Sequence, residues 1–147
     1  MAAKGAIGQK AEEIVAQALV SKGYEITNLN SLVRNCPFMD LLATKPKRRG
    51  PARRLLVQVK GTTNAKMWFG AQPSRARALD QFASAFGCTA EYAFVYVDTV
   101  GARPVVQFAA AKDVAQMAEE AEESYPGTNR YHVAISQGRL VPLVFTP

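Results

Sequence analysis

The sequence has few of the residues from which common catalytic sites are built. Among its 147 residues are one histidine, His132, and two cysteines, Cys36 and Cys88. Two cysteines are too few for a disulfide framework, and their separation is not that of a metal-binding pair. We expect reduced thiols in a cytoplasmic protein, with a single bridge as the alternative. His132 has no Ser-His or Cys-His pattern around it for nucleophilic catalysis, so we interpret it as structural.

Long apolar runs and phosphate-binding glycine loops are also missing. No run reaches the roughly 18 residues of a membrane helix, and the N-terminal segment MAAKGAIGQK lacks the apolar block of a signal peptide. Without a glycine-rich loop of the P-loop or dinucleotide type, use of a nucleoside triphosphate or NAD is unsupported. The composition is 48% hydrophobic and 20% charged, which is typical of a globular protein, and the length predicts a single domain over residues 1–147.

Positive charge exceeds negative charge and is concentrated in one segment. The formal net charge is +6, which favours polyanionic partners such as nucleic acid. The segment KPKRRGPARR lies between two predicted strands. We interpret it as a hairpin loop that contacts a DNA or RNA backbone, with a solvated hairpin tip as the alternative. Its cationic residues are Lys45, Lys47, Arg48, Arg49, Arg53 and Arg54.

The spacing of apolar residues predicts an α/β fold. A helical spacing predicts a first helix that is closed by Gly23 in the left-handed conformation. The whole chain is predicted to follow the order α-β-β-β-α-β-β-α-β-β, with another short strand over residues 66–69, and to form a mixed β-sheet flanked by helices. Ser74 is expected to cap the second helix. Pro142 is expected to place the last strand at a sheet edge.

The strand LLVQVKG, Leu55 to Gly61, carries two polar side chains on one face. Because strand side chains alternate, Gln58 and Lys60 share a face with Leu56, while three apolar residues occupy the other face. An amide and an ammonium side by side at the end of an apolar run indicate a binding site or a solvated strand end.

Two acidic residues complete a candidate site with Gln58 and Lys60. Asp40 lies in the apolar segment MDLLA, where its carboxylate is costly to bury unless it is paired or binds a cation. Strand alternation places Met39 on the face opposite Asp40. Glu12 lies beside the apolar face of the first helix, and packing of that helix on the sheet is expected to bring it near Asp40.

These four groups suit phosphodiester hydrolysis. Mg²⁺ takes oxygen ligands and usually binds through one or two carboxylates together with phosphate and water. Asp40 offers a charged oxygen, Gln58 offers an amide oxygen, and a backbone carbonyl near Val59 adds a third. Mg²⁺ or Mn²⁺ at this position lowers the pKa of a bound water and stabilises charge on the phosphate. Lys60 either orients the attacking hydroxide or neutralises the transition state.

The segments AEEIVAQALVSKGYEI, FMDLLA and LLVQVKG together resemble the PD-(D/E)XK nuclease superfamily, which has the restriction-endonuclease-like fold. The helix-first arrangement is similar to the small Holliday-junction-resolvase-like and restriction-type branches. In that family a helix bears a glutamate, a strand bears a metal-binding aspartate, and the next strand ends in Glu-x-Lys. By motif, these positions correspond to Glu12, Asp40 and the pair Gln58 and Lys60.

This sequence departs from the family pattern at two points. Gln58 stands where the family has an acid, although some restriction-type branches carry Gln-x-Lys and remain active. Pro37 precedes Asp40 by three residues instead of directly. The motifs cover Gly5 to Lys60. The resemblance implies a Mg²⁺- or Mn²⁺-dependent endonuclease, as a homodimer, acting on duplex or branched DNA. It implies the catalytic residues Glu12, Asp40, Gln58 and Lys60, of which Asp40 and Gln58 hold the metal.

Two other functions remain open. The loss of a carboxylate at Gln58 is also expected of a catalytically weakened protein that binds nucleic acid without cleaving it. The same fold can serve as an interaction module for an acidic protein partner. Arg75 and Arg77, at the start of the second helix, are interpreted as solvent-facing, with phosphate contact as the alternative. Trp68 and Phe69 are interpreted as core or dimer contacts.

Overall fold

The computed structural model describes residues 5–29, 39–63, 68–70, 73–97, 104–124, 131–136 and 139–144. Within these ranges the helices are α1 (Ala6–Ser21), α2 (Pro73–Ala85) and α3 (Ala111–Ser124). The strands are β1 (Glu25–Asn28), β2 (Leu41–Lys45), β3 (Arg53–Thr62), β4 (Trp68–Gly70), β5 (Thr89–Tyr96), β6 (Val105–Ala110), β7 (Tyr131–Ser136) and β8 (Arg139–Val144). None of the described helices has the length and apolar character needed to cross a membrane.

The strands form two sheets, and the larger one is mixed. Its strand order is β1-β2-β3-β5-β6, and only the β3–β5 pair is parallel. A parallel pair needs a long crossover connection, which here contains α2. The smaller sheet is antiparallel with the order β4-β7-β8. The predicted fold class, a mixed sheet flanked by helices, is therefore confirmed, as is the edge position of the strand that contains Pro142.

Helices cover the two faces of the larger sheet unequally. On one face α1 packs on β3 and also reaches β1, β2 and β5, whereas on the other face α2 and α3 pack on β5. The core under α1 contains Val15 and Leu19, and the core under α2 and α3 contains Leu79, Phe94 and Val114. The strands β2 and β3, which carry the predicted site, are therefore covered by α1 on one face of the sheet.

The predicted end of α1 is confirmed, whereas the predicted start of α2 is wrong. Gly23 follows α1 with φ +93°, as expected for a left-handed residue that closes a helix. The prediction for Ser74 is wrong, because α2 begins at Pro73 and Ser74 lies inside its first turn. Proline suits the first helical position because its ring fixes φ near the helical value and its missing N–H is not needed there.

Strand alternation on β3 is confirmed, but it fails at the start of β2. Leu56 packs under α2 and α3, while Val57 and Val59 pack under α1. Met39 packs with Leu56 instead of on the α1 side. The expectation for Met39 is wrong because β2 begins only after Asp40, which adopts a bend, so that the alternation does not extend back to Met39.

The loop between β2 and β3 is shorter than the predicted loop KPKRRGPARR. The cationic residues at both ends of the segment belong to the strands, where Lys45 pairs with Arg53 and Thr44 pairs with Arg54. The loop itself is confined to residues 46–52. Predictions for Cys36 and Pro37 fall outside the described residues, as do those for the side chains of Trp68 and His132, whereas Phe69 is buried as expected.

Gly61 marks the closest approach of α1 to β3. A Cβ atom added at Gly61 would lie 2.7 Å from the Cβ of Ala11. Gly61→Ala is therefore expected to lower the free energy of unfolding by about 1–3 kcal/mol, because the helix has to shift. Urea unfolding measures the change. Gly5→Ala is the control, since nothing lies within 4 Å of the added Cβ there, and equal stability of Gly61→Ala and the parent would contradict the tight contact.

Candidate active site

The Asp40 side chain is fixed by the backbone of β3. The Asp40 N–H donates to the Val57 carbonyl at 2.8 Å, and the Val59 N–H donates to Asp40 Oδ2, also at 2.8 Å. These bonds join Asp40 to both chain neighbours of Gln58. The residue is 1% exposed, so the carboxylate is held in a defined place where β2 begins.

Gln58 and Lys60 lie next to this carboxylate on β3. They share the face of Leu56, and both are half-buried, whereas Val57 and Val59 on the other face are buried. The Val59 hydrogen bond limits the distance from Asp40 Oδ2 to the Lys60 Cα to about 8 Å, from standard backbone dimensions. A lysine side chain spans most of such a distance. The structure therefore brings Asp40, Gln58 and Lys60 to one end of the sheet.

Glu12 approaches this end from the other side of the sheet. It is 8% exposed, and with Asn28 and Leu41 it lines a cavity of about 400 Å³ between α1 and the strands β1 and β2. Leu41 follows Asp40 directly, so Glu12 lies at the Asp40 end of the sheet. Of the four predicted residues, however, only Glu12 lines this cavity, because α1 covers the face opposite Gln58 and Lys60.

Tyr92 is a neighbour of the site that sequence reasoning missed. In the parallel pair of β3 and β5 it lies opposite Gln58, and it is buried. Burial raises the pKa of Tyr92 to about 12, and the positive charge of Arg75 acts in the opposite direction. The phenol therefore stays neutral at physiological pH and is a hydrogen-bonding group beside Gln58. Only the register of the β3–β5 pair identifies it, and that register is not visible in the sequence.

The two arginines of α2 have different surroundings. Arg75 is exposed, as interpreted from the sequence, and its charge acts on Tyr92. Arg77 forms an ion pair with Glu119, which links α2 to α3. Arg75 is thus the one of the two that lies close to the neighbours of Gln58.

The cationic hairpin lies at the opposite end of the sheet from Asp40. From Arg53 to Lys60 the strand β3 rises about 23 Å, at roughly 3.3 Å per residue. An extended strand therefore separates the basic segment from Gln58 and Lys60. Lys47, Arg48 and Arg49 are exposed in the loop, and contact with nucleic acid stays a prediction for all six cations.

The oxygen donors at the Asp40 end fit a cation that the substrate helps to bind. No group of three or more histidine, cysteine, aspartate or glutamate residues suited to a metal ion occurs in the part of the chain that the structure describes. A fully protein-built cage is therefore not evident there. One carboxylate from Asp40, an amide oxygen from Gln58 and backbone carbonyls nevertheless match Mg²⁺, which keeps several waters and binds substrate phosphates.

Comparison with known proteins gives little beyond the fold. No family model matches the sequence, and no curated protein matches it. Among solved structures, the chain is similar to Hjc, a Holliday junction resolvase from the archaeal hyperthermophile Archaeoglobus fulgidus. The two are 21% identical, the similarity covers 71% of this chain and 73% of the other, and the TM-score is 0.48. A likeness at this level does not establish a shared function.

Proposed function

We propose that this protein is a metal-dependent endonuclease that hydrolyses phosphodiester bonds in duplex or branched DNA. The observation that carries the proposal is the hydrogen bonding of Asp40 to both neighbours of Gln58, with Lys60 on the same strand face as Gln58. In the proposed site the buried Asp40 carboxylate acts together with the amide of Gln58 and the ammonium of Lys60, both of which are half-buried. The proposed cofactor is Mg²⁺ or Mn²⁺.

Asp40, Gln58 and Lys60 have different roles in the proposed hydrolysis. Asp40 and Gln58 would hold the cation through their side-chain oxygens. When bound, the cation would supply Lewis-acid activation of water and stabilise negative charge on the phosphate. Lys60 orients the attacking hydroxide or neutralises the charge that develops on the phosphate oxygens. Attack on phosphorus forms one P–O bond and breaks another, which leaves one phosphate end and one hydroxyl end.

The proposal includes a role for Glu12 and a homodimeric state. Glu12 acts from the α1 side, where it contributes negative charge close to the Asp40 end of the sheet. Simultaneous cleavage of two strands uses two copies of such a site, so we propose a homodimer. Light scattering of the purified protein measures the oligomeric state directly.

A binding protein without cleavage is the second candidate. It is favoured by Gln58 and by the absence of a three-residue acidic group among the described residues. Each carboxylate removed from a metal site lowers its affinity for divalent cations, because one unit of attraction is lost. In this case the basic residues still bind nucleic acid, or an acidic protein partner, while hydrolysis is absent.

The test uses purified protein with supercoiled plasmid, linear duplex and four-way junctions, each with Mg²⁺, Mn²⁺, Ca²⁺ or EDTA. Cleavage with Mg²⁺ or Mn²⁺ is expected, with none in EDTA. Asp40→Asn, purified in parallel, retains an acceptor for the Val59 N–H but loses the charge, so it should fold and not cut. Failure to cleave any of these substrates with any metal would refute the nuclease, and equal cleavage by Asp40→Asn would refute this site.

A further inference from the structure

A cationic pocket lies at the hairpin end of the larger sheet, on the α1 face. Its volume is about 480 Å³, within the usual range for small-ligand sites. It is distant from the candidate active site, which lies at the other end of β3 and on the other face. The side chains that give the pocket its character are Lys22, Lys45, Arg53, Glu91, Tyr24 and Phe108.

Two aromatic rings hold the lysines of this pocket in place. The Lys22 Nζ lies 4.7 Å from the centroid of the Phe108 ring, and the Lys45 Nζ lies 5.6 Å from the centroid of the Tyr24 ring. Both distances are within the range of cation–π attraction. Free lysine side chains lose much rotamer entropy when they are ordered, so this contact prepares both ammonium groups for a ligand.

The backbone at the end of α1 supports the same arrangement. A Cβ atom added at Gly23 would lie 3.5 Å from the Lys45 Cε, which shows that Lys45 crosses the turn that ends the helix. The carbonyl end of a helix carries partial negative charge, and it therefore favours the positions of Lys22 and Lys45. Three chain segments thus bring their cations together.

The charge and the covered rings identify the ligand class. Three cations face one carboxylate, Glu91, so the pocket has an excess of positive charge. Because an ammonium group already lies at each ring, the rings are not open platforms for stacked bases. Anionic phosphate groups are the part of a nucleic acid that fits, and contacts of this kind carry no base sequence.

We propose that this pocket binds backbone phosphates of a nucleic acid at a distance from the bond that is cut. The inference rests on the proposed function for its choice of ligand. The rise of β3 between Arg53 and Lys60, about 23 Å, is a lower limit on the separation, because the two sites lie on opposite faces, and it corresponds to about seven nucleotide steps or more at 3.4 Å each. Lys47, Arg48 and Arg49, which are exposed in the loop between Lys45 and Arg53, add further positive charge at the same end of the sheet.

The experiment measures DNA affinity against salt concentration in an Asp40→Asn background, in Ca²⁺, so that the DNA stays intact. Lys22→Gln is expected to lower the slope of log affinity against log salt by about 1, and Lys22→Gln with Lys45→Gln by about 2. Lys112→Gln, an exposed lysine of α3, should leave the slope unchanged. Phe108→Leu keeps all charges, so it should weaken binding and preserve the slope. The effect of Lys22→Gln should vanish with duplexes too short to reach the pocket.

The outcomes separate this proposal from the nuclease itself. If the parent protein cuts DNA and neither lysine substitution changes affinity or salt slope, the pocket proposal is wrong and the proposed function stands. If the slopes fall as expected and no cleavage is found, the pocket stands and the nuclease does not. Two results together would overturn the proposal by showing a free-anion site: inorganic phosphate alone protects the folded protein against thermal unfolding, and neither lysine substitution changes DNA binding.

Discussion

Lys60→Met is expected to slow single-turnover DNA cleavage by at least about 100-fold, the effect typical of removing one group that stabilises transition-state charge. The reason is the position of Lys60, two residues beyond Gln58 on the same face of β3 and close to the Asp40 carboxylate. Methionine retains most of the apolar stem, so packing beside Phe94, its register partner, is preserved. Rapid mixing of excess protein with labelled DNA measures the rate.

Lys60→Arg separates the two roles that Lys60 can fill. A guanidinium keeps the positive charge but is larger, planar and always protonated. If neutralisation of the phosphate is the main role, Lys60→Arg should recover part of the lost rate. If Lys60 orients the hydroxide through its compact ammonium, Lys60→Arg should be as slow as Lys60→Met. Lys112→Met is the matched control on α3, and a Lys60→Met protein that cuts at the parental rate would contradict the site.

Local patterns in the sequence predicted the parts of the fold that local physics determines. The period of two in LLVQVKG correctly separated Gln58 and Lys60 from Val57 and Val59, because side-chain alternation is a property of any strand. The left-handed conformation of Gly23 was also predictable from local physics, because glycine is the residue that takes that conformation at least cost. Neither inference needed knowledge of which elements become neighbours.

The positions of distant segments relative to one another could not be predicted from these local patterns. The basic hairpin is near Lys60 in sequence but about 23 Å away along β3, since an extended strand rises roughly 3.3 Å per residue. Tyr92 lies opposite Gln58 only through the register of a parallel pair whose strands are joined by α2. The partner of Lys22 is Phe108, 86 positions further along the sequence. Hydrophobic periodicity contains no information on such pairs.

Asp40 combines a structural contact with the proposed chemical one. At the start of β2 it offers a side-chain oxygen to the Val59 N–H, and a buried N–H left without an acceptor costs about 1–3 kcal/mol. The carboxylate therefore needs no cation to hold its orientation. A site in which the charged oxygen is already placed loses less entropy when a cation and a phosphate arrive. In the proposed site this would compensate in part for the neutral side chain at Gln58.

Gln58→Glu is expected to lower the Mn²⁺ concentration for half-maximal binding at least tenfold, which corresponds to about 1.4 kcal/mol. Two unit charges about 4 Å apart attract by roughly 4 kcal/mol at an effective dielectric constant near 20, so the expected gain allows for a desolvation cost. Without metal, the added carboxylate faces Asp40, and repulsion between them should lower the melting temperature.

Thermal unfolding at increasing Mn²⁺ concentration tests this without reference to cleavage, because a ligand that binds only the folded state raises its stability by an amount that grows with the logarithm of the ligand concentration divided by the dissociation constant. Gln58→Glu should begin below the parent in melting temperature and rise more steeply with Mn²⁺. Gln81→Glu, at an exposed position on α2, adds the same charge away from Asp40 and should follow the parent. If all three proteins respond to Mn²⁺ alike, Gln58 does not contact the cation, and the metal role proposed for it together with Asp40 is wrong.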